Sequence, residues 1–108
     1  MCYYKLNKIE EAIVELRKVV EMQPEKSQGH NQLGLALLNK CNYEEALLSF
    51  NRAIQQDAEP EYYCNRGIAY FETQKNEDAL LDFKWAIDKN PNVANFYYYR
   101  GNVYLRLQ

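Results

Sequence analysis

The sequence predicts an all-α protein built of antiparallel helix-turn-helix repeats. Three observations carry this expectation. Small residues recur at about the length of a two-helix unit: Ala12, Ala46 and Ala79 are separated by 34 and 33 residues, and Gly34, Gly67 and Gly101 by 33 and 34. Apolar residues fall at helical spacings of three and four, most clearly in residues 42–56. There Tyr43, Ala46, Leu47, Phe50, Ala53 and Ile54 form one stripe, with Glu44, Glu45, Asn51 and Arg52 outside it. Finally, four glycines and three prolines in 108 residues leave room for few turns.

Taken in order, the pattern gives the end of a helix at residues 1–6, then helices at 9–22, 26–39, 43–56, 60–73, 76–89 and 93–107. Pro24 and Pro91 stop the helices before them, because proline cannot continue the hydrogen-bond ladder. Asn42 followed by Glu45 reads as an N-cap with its capping-box partner. Asn7, Cys41 and Gln74 fall in turns within repeats, and of these asparagine best tolerates a left-handed backbone. Gly34 and Gly67 lie inside helices, where glycine costs roughly 1 kcal/mol relative to alanine, so a compensating contact is required. Close approach at Ala46 and Ala79 is the expected one. The interval from Ala58 to Gly67 is one residue shorter than those from Pro24 to Gly34 and Pro91 to Gly101, so a tighter connection is expected there, with Pro60 opening the next helix.

The register of these residues is specific. Tyr63, Arg66, Gly67 and Tyr70 lead to Ala79, Phe83, Ala86 and Pro91; His30, Leu33, Gly34 and Leu37 lead to Ala46, Phe50 and Ala53. Tyr97, Arg100, Gly101 and Tyr104 open another unit, while Ala12, Leu16 and Val19 close an earlier one. In this order and spacing the chain resembles the tetratricopeptide repeat family, with Tyr63 in place of the usual Trp and Arg66 in place of Leu. The resemblance divides the chain into a partial repeat at 1–25, repeats at 26–59 and 60–92, and the first helix of a further one at 93–108. It implies hairpins stacked as a right-handed α-solenoid, with the first helix of each hairpin lining a concave face that binds ligands.

Composition excludes several functions. Thirteen basic and fifteen acidic residues give a net charge of −2, with no basic lane for nucleic acid or an anionic membrane. Tyr62–Tyr63 and Tyr97–Tyr98–Tyr99 suggest base stacking only in isolation, since such sites pair aromatic rings with positive charge. One histidine, three cysteines without a C-x-x-C pair and glycines spaced by whole repeats argue against a metal centre, a disulfide framework and a phosphate-cradling loop. His30 occupies the aromatic position of its helix, where packing or capping is expected. The acidic pairs Glu10–Glu11, Glu44–Glu45 and Glu77–Asp78 begin second helices, where they complement the helix dipole. No enzyme, no cofactor and no metal are expected. Without an apolar span or signal-like start, a cytoplasmic location is expected, with the nucleus as the alternative.

The expected function is a scaffold that captures a peptide segment of a partner protein. Residues one turn from the core stripe form the candidate groove: Gln28, Asn31, Gln32, Leu35 and Asn39, then Cys64, Asn65, Ile68 and Glu72, and finally Tyr98, Tyr99 and Asn102. Amides can hydrogen-bond a peptide backbone, and phenols give contact area at small entropic cost. For Cys64 an inert buried thiol is the simpler reading. Tyr63, Tyr70, Tyr97 and Tyr104 are read as core. A carboxylate clamp of the co-chaperone kind would need cations that are missing: only Asn65 matches, while Asn31, Leu35, Asn95 and Tyr99 replace the remaining clamp residues. The alternative function is a structural spacer within a longer array. Uncovered faces at the two ends are also expected to permit head-to-tail self-association.

Overall fold

The computed structural model describes residues 6–108, with side chains from residue 8 onward. Among the described residues six helices follow one another: α1 Leu6–Met22, α2 Ser27–Asn39, α3 Tyr43–Gln56, α4 Pro60–Glu72, α5 Asn76–Lys89 and α6 Ala94–Leu107. Among the described residues there is no strand. From α2 onward, the helices start and stop within one residue of the periodicity's prediction. The helix end expected at residues 1–6 lies outside the described residues except for Leu6, which begins α1. Asn7 is therefore helical and does not occupy a turn; neither glycine nor proline interrupts residues 6–22. Among the described residues no helix is long and apolar enough to cross a membrane.

The hairpin turns are made at Cys41 and Gln74, whose φ angles of 66° and 68° lie in the left-handed region. In both, a paired set of backbone bonds closes the preceding helix: Cys41 N–H to Leu38 O and Asn42 N–H to Leu37 O, and likewise Gln74 to Phe71 and Lys75 to Tyr70. Asn42 is the N-cap of α3 but makes no side-chain bond to the helix backbone. Its amide instead donates to Glu45 at 2.6 Å, and Arg17 of α1 reaches the same carboxylate at 3.0 Å. The Arg17 hydrogen bond, followed by that of Asn42, holds the Glu45 carboxyl below the usual range. Three residues separate α3 from α4, against four between α1 and α2 and four between α5 and α6, and Pro60 opens α4 as expected.

The chain divides into two compact units, Met1–Asp57 and Ala58–Gln108. Each is built on one hairpin: α2 against α3 with α1 on α2, and α4 against α5 with α6 on both. At the helical glycines the nearest atoms of the partner helix belong to a phenylalanine ring. A Cβ added at Gly34 would stand 2.5 Å from Phe50 Cε1, and one at Gly67 would stand 2.7 Å from Phe83 Cε1. Ala46 and Ala79 are also fully buried, one turn before the rings on the same face. At Gly101 the same atom would meet nothing within 4 Å.

The two hairpins differ in polarity at one matched pair of positions. Beside Gly34, Leu33 and Ser49 are both buried. Beside Gly67 the equivalent residues are Arg66 and Asp82, joined by two parallel bonds, Nε to Oδ2 at 2.9 Å and Nη2 to Oδ1 at 2.8 Å. The guanidinium lies 5.3 Å and 5.6 Å from the rings of Tyr63 and Tyr70. Burial pushes the Asp82 carboxyl up from its ordinary range, opposed by the guanidinium it faces. Trp85 stacks on Tyr63 with centroids 3.8 Å apart. Phe83, Ala79, Ala86 and Ile87 of α5 then form one core with Cys64 of α4 and with Phe96 and Val103 of α6.

These contacts set the sign of several substitutions. Gly67→Ala should destabilise by about 1–3 kcal/mol through overpacking on Phe83. Gly101→Ala should stabilise by up to about 1 kcal/mol, because only helix propensity changes. Urea unfolding followed by the fluorescence of Trp85, the single tryptophan, separates the two signs. By the same measurement Asp82→Ala should cost about 3 kcal/mol by leaving Arg66 unpaired, whereas Arg66→Leu with Asp82→Ser, which copies Leu33 and Ser49, should return to within about 1 kcal/mol of the parent.

Candidate functional site

The candidate residues stand on the first helix of each hairpin and on α6, and they fall into register rows. Gln32, Asn65 and Tyr99 occupy one row, Leu35, Ile68 and Asn102 the next, and Asn39, Glu72 and Arg106 a third. In all three rows every residue is half-buried or exposed. A fourth row, Asn31, Cys64 and Tyr98, behaves differently. Asn31 and Cys64 are 5% and 4% exposed, so neither offers surface to a ligand, whereas Tyr98 is 65% exposed. The cause is visible for Cys64, which belongs to the core that α6 completes with Phe96 and Val103. Tyr98 is one repeat further on, and its register position has no corresponding cover among the described residues.

In the unit Met1–Asp57, Gln28 and Gln32 are exposed and border an open trough of about 400 Å³ with Leu16 and Val19. Leu35 and Asn39 are half-buried on the same helix. Most of the polar chemistry of this unit is structural. His30 is buried and donates its Nε2 hydrogen to the Pro24 carbonyl at 2.8 Å. Tyr97 makes the matching bond in the other unit, from its hydroxyl to the Pro91 carbonyl at 3.0 Å. This aromatic position thus tethers the connection that precedes its helix, as packing or capping of His30 implied.

In the unit Ala58–Gln108, Asn65, Ile68 and Asn102 are half-buried and Glu72 is exposed. Tyr99 lies over Phe83 with centroids 5.9 Å apart, and Tyr98 meets it edge-on at 5.5 Å. Burial raises the Tyr99 phenol above its usual range, with Cys64 the next contributor. Burial also pushes the Cys64 thiol up to about 12, helped by the negative charges of Glu61 and Asp82. Arg106 was absent from the sequence-based candidates. Its guanidinium covers the Phe71 ring at 3.5 Å and donates to the Phe71 carbonyl and to Asn76 Oδ1, fastening α6 to the turn between α4 and α5. Tyr97 and Tyr104, read as core, are 43% and 55% exposed. No group of side chains among the described residues could hold a metal ion.

The Cys64 surroundings make a chemical prediction. With its pKa raised to about 12, Cys64 remains a protonated thiol at neutral pH and should resist iodoacetamide in the folded chain. Peptide-level mass spectrometry should show labelling only after denaturation; fast native labelling would show that the site opens.

Comparison with known proteins matches this architecture. Residues 3–60 fit the family described as tetratricopeptide repeat, and residues 69–108 fit that described as TPR repeat. The small glutamine-rich tetratricopeptide repeat-containing protein of Dictyostelium discoideum is 37% identical over 65 residues, which is 59% of this chain and 20% of that protein. Serine/threonine-protein phosphatase T of Trypanosoma brucei brucei is 30% identical over 76 residues, 70% of this chain and 16% of that protein. The chain thus spans a fifth or less of these relatives. Among solved structures, the first TPR of Spaghetti (RPAP3) bound to the HSP90 peptide SRMEEVD has the same fold. The TM-score is 0.89 at 24% identity, over 97% of this chain and 84% of that one. With matched repeats along most of its length and the helical-hairpin fold they specify, the chain belongs to the tetratricopeptide repeat family.

Proposed function

We propose that the chain is a non-catalytic module that binds an extended segment of a partner protein on the open faces of its first helices, α4 and α6 within the unit Ala58–Gln108 and α2 within the unit Met1–Asp57. The observation that carries this reading is the repetition of the rows. Asn65, Tyr99 and Gln32 share one position, and Ile68, Asn102 and Leu35 share the next; none is buried, and Ile68 and Tyr99 pack against the core. Such rows alternate amide or phenol groups with aliphatic surface. Amides can meet the donors and acceptors of a peptide backbone, and the apolar row can receive its side chains. Glu72 and Asn39 add polar ends to the rows, while Gln28 borders the trough beside α1. The family membership supports protein binding, and the peptide held by the RPAP3 structure illustrates the mode for that protein. At the positions that a carboxylate clamp would use, this chain has Asn31, Leu35, Asn95 and Tyr99, none of them cationic. We therefore favour a peptide read through its backbone and apolar side chains over an acidic C-terminus. A cytoplasmic setting is part of the same proposal.

Selection of a displayed random-peptide library on the 108-residue chain tests this. Enriched peptides should lose at least tenfold in affinity for an Asn65→Ala, Asn102→Ala variant whose circular dichroism and melting temperature are retained. SRMEEVD should bind no better than its C-terminal amide. Peptides that bind the variant equally would move the site elsewhere; failure to enrich any peptide would favour the spacer reading.

A further inference from the structure

A cleft of about 410 Å³ opens within the unit Met1–Asp57, with walls from α1, α2 and α3. That size falls in the range of roughly 300–1,000 Å³ typical of small-molecule sites. Its floor is Leu33 and Leu37 of α2 and Ser49 of α3, all buried. Its sides are Val20 of α1, half-buried, and Leu48 of α3, 63% exposed.

Helical register explains why there is space. On the α4–α5 hairpin the positions of His30, Leu33, Leu37, Ser49 and Arg52 are held by Tyr63, Arg66, Tyr70, Asp82 and Trp85. That hairpin fills them with its own rings and its own ion pair. Trp85 stacks on Tyr63 with centroids 3.8 Å apart, and Arg66 lies over Tyr63 and Tyr70 while bound to Asp82. The α2–α3 hairpin has a single ring at these positions, the imidazole of His30, and it is tied to the Pro24 carbonyl. Aliphatic side chains and a serine stand where the tyrosine ring and the ion pair would be, and the guanidinium of Arg52 takes the place of the indole.

The charges at the rim select the ligand further. Arg17 and Glu45 are committed to each other at 3.0 Å, and Asn42 donates to the same carboxylate. Arg52 and Glu21 also border the cleft and make no ion pair among the described residues. A guanidinium can stack on an aromatic face and can fork onto a carboxylate, so Arg52 suits a planar ring that carries one negative charge. Glu21 repels a second charge, which disfavours polyanions such as phosphate esters.

We infer that this cleft binds a small aromatic monocarboxylate, with its ring on Leu33, Leu37 and Leu48 and its carboxylate on Arg52. The site is separate from the proposed peptide face, because Gln32 and Leu35 lie on a different side of α2 from Leu33 and Leu37.

Titration of the 108-residue chain with 4-phenylbutyrate, followed by methyl NMR, tests this. Saturable shifts should centre on Val20, Leu33, Leu37 and Leu48. The amide 4-phenylbutanamide, which lacks the charge, and 4-cyclohexylbutyrate, which lacks the ring, should each bind at least fivefold more weakly. Arg52→Gln should impose the same loss on 4-phenylbutyrate and erase its preference over the amide. Leu33→Arg with Ser49→Asp, which copies the Arg66–Asp82 pair onto the floor, should remove binding. Leu48→Glu, at an exposed position, should weaken it at least fivefold with circular dichroism unchanged, while Asn65→Ala, Asn102→Ala should bind like the parent. An absence of saturable shifts, shifts centred on other residues, or undiminished affinity for the amide or in Arg52→Gln would each overturn the inference.

Discussion

The contact on which the rest of the structure depends is an aromatic ring laid on a glycine. Phe50 covers Gly34 and Phe83 covers Gly67 so closely that one methyl group would intrude on the ring. The absence of a side chain on one helix lets the ring of the other reach its backbone, and the dispersion and burial gained there offset the poor helix propensity of glycine. Once that distance is set, the flanking positions are fixed. Small alanines must sit above and below the ring, and the residue before it must face the residue before the glycine. In one hairpin that facing pair is Leu33 and Ser49; in the other it is Arg66 and Asp82.

The same geometry explains why polar residues are sorted as they are. Groups that close or tether an element are committed: His30 and Tyr97 to proline carbonyls, Arg106 to the α4–α5 turn, Arg66 to Asp82. Groups on the outward rows of α2 and α4, such as Gln32, Leu35 and Ile68, are left half-buried or exposed because the ring contact turns the opposite face of each helix inward. Open surface and packed surface are thus two faces of one helix. The catalytically tempting residues lie on the packed side: His30 is tied to a carbonyl, and Cys64 is a thiol that burial keeps protonated.

Much of this was legible in the residues. The helices from α2 to α6 could be placed within a residue because the apolar stripes are long and Pro24, Pro60 and Pro91 mark their limits. Pattern reading failed where one register position has two fates. Cys64 and Tyr98 share a row, but one is enclosed by α6 and the other is exposed, and only the position in the array distinguishes them. Tyr97 and Tyr104 were read as core for the same reason. Asn7 shares its register position with the turn residues Cys41 and Gln74, yet the local sequence has no helix breaker and the helix runs through it.

By itself the sequence determined the family, the helix order and which face of α2 to α5 turns inward, because these follow from periodicity and from glycine, alanine and phenylalanine at fixed offsets. Tertiary structure alone decided which members of a row are covered, which ring fills the space at each glycine, and that Arg66 departs from the family pattern because Asp82 stands opposite it. Those outcomes depend on neighbours distant in the chain. A residue's type and spacing carry its preference for burial, whereas its exposure depends on which other helix is there to meet it.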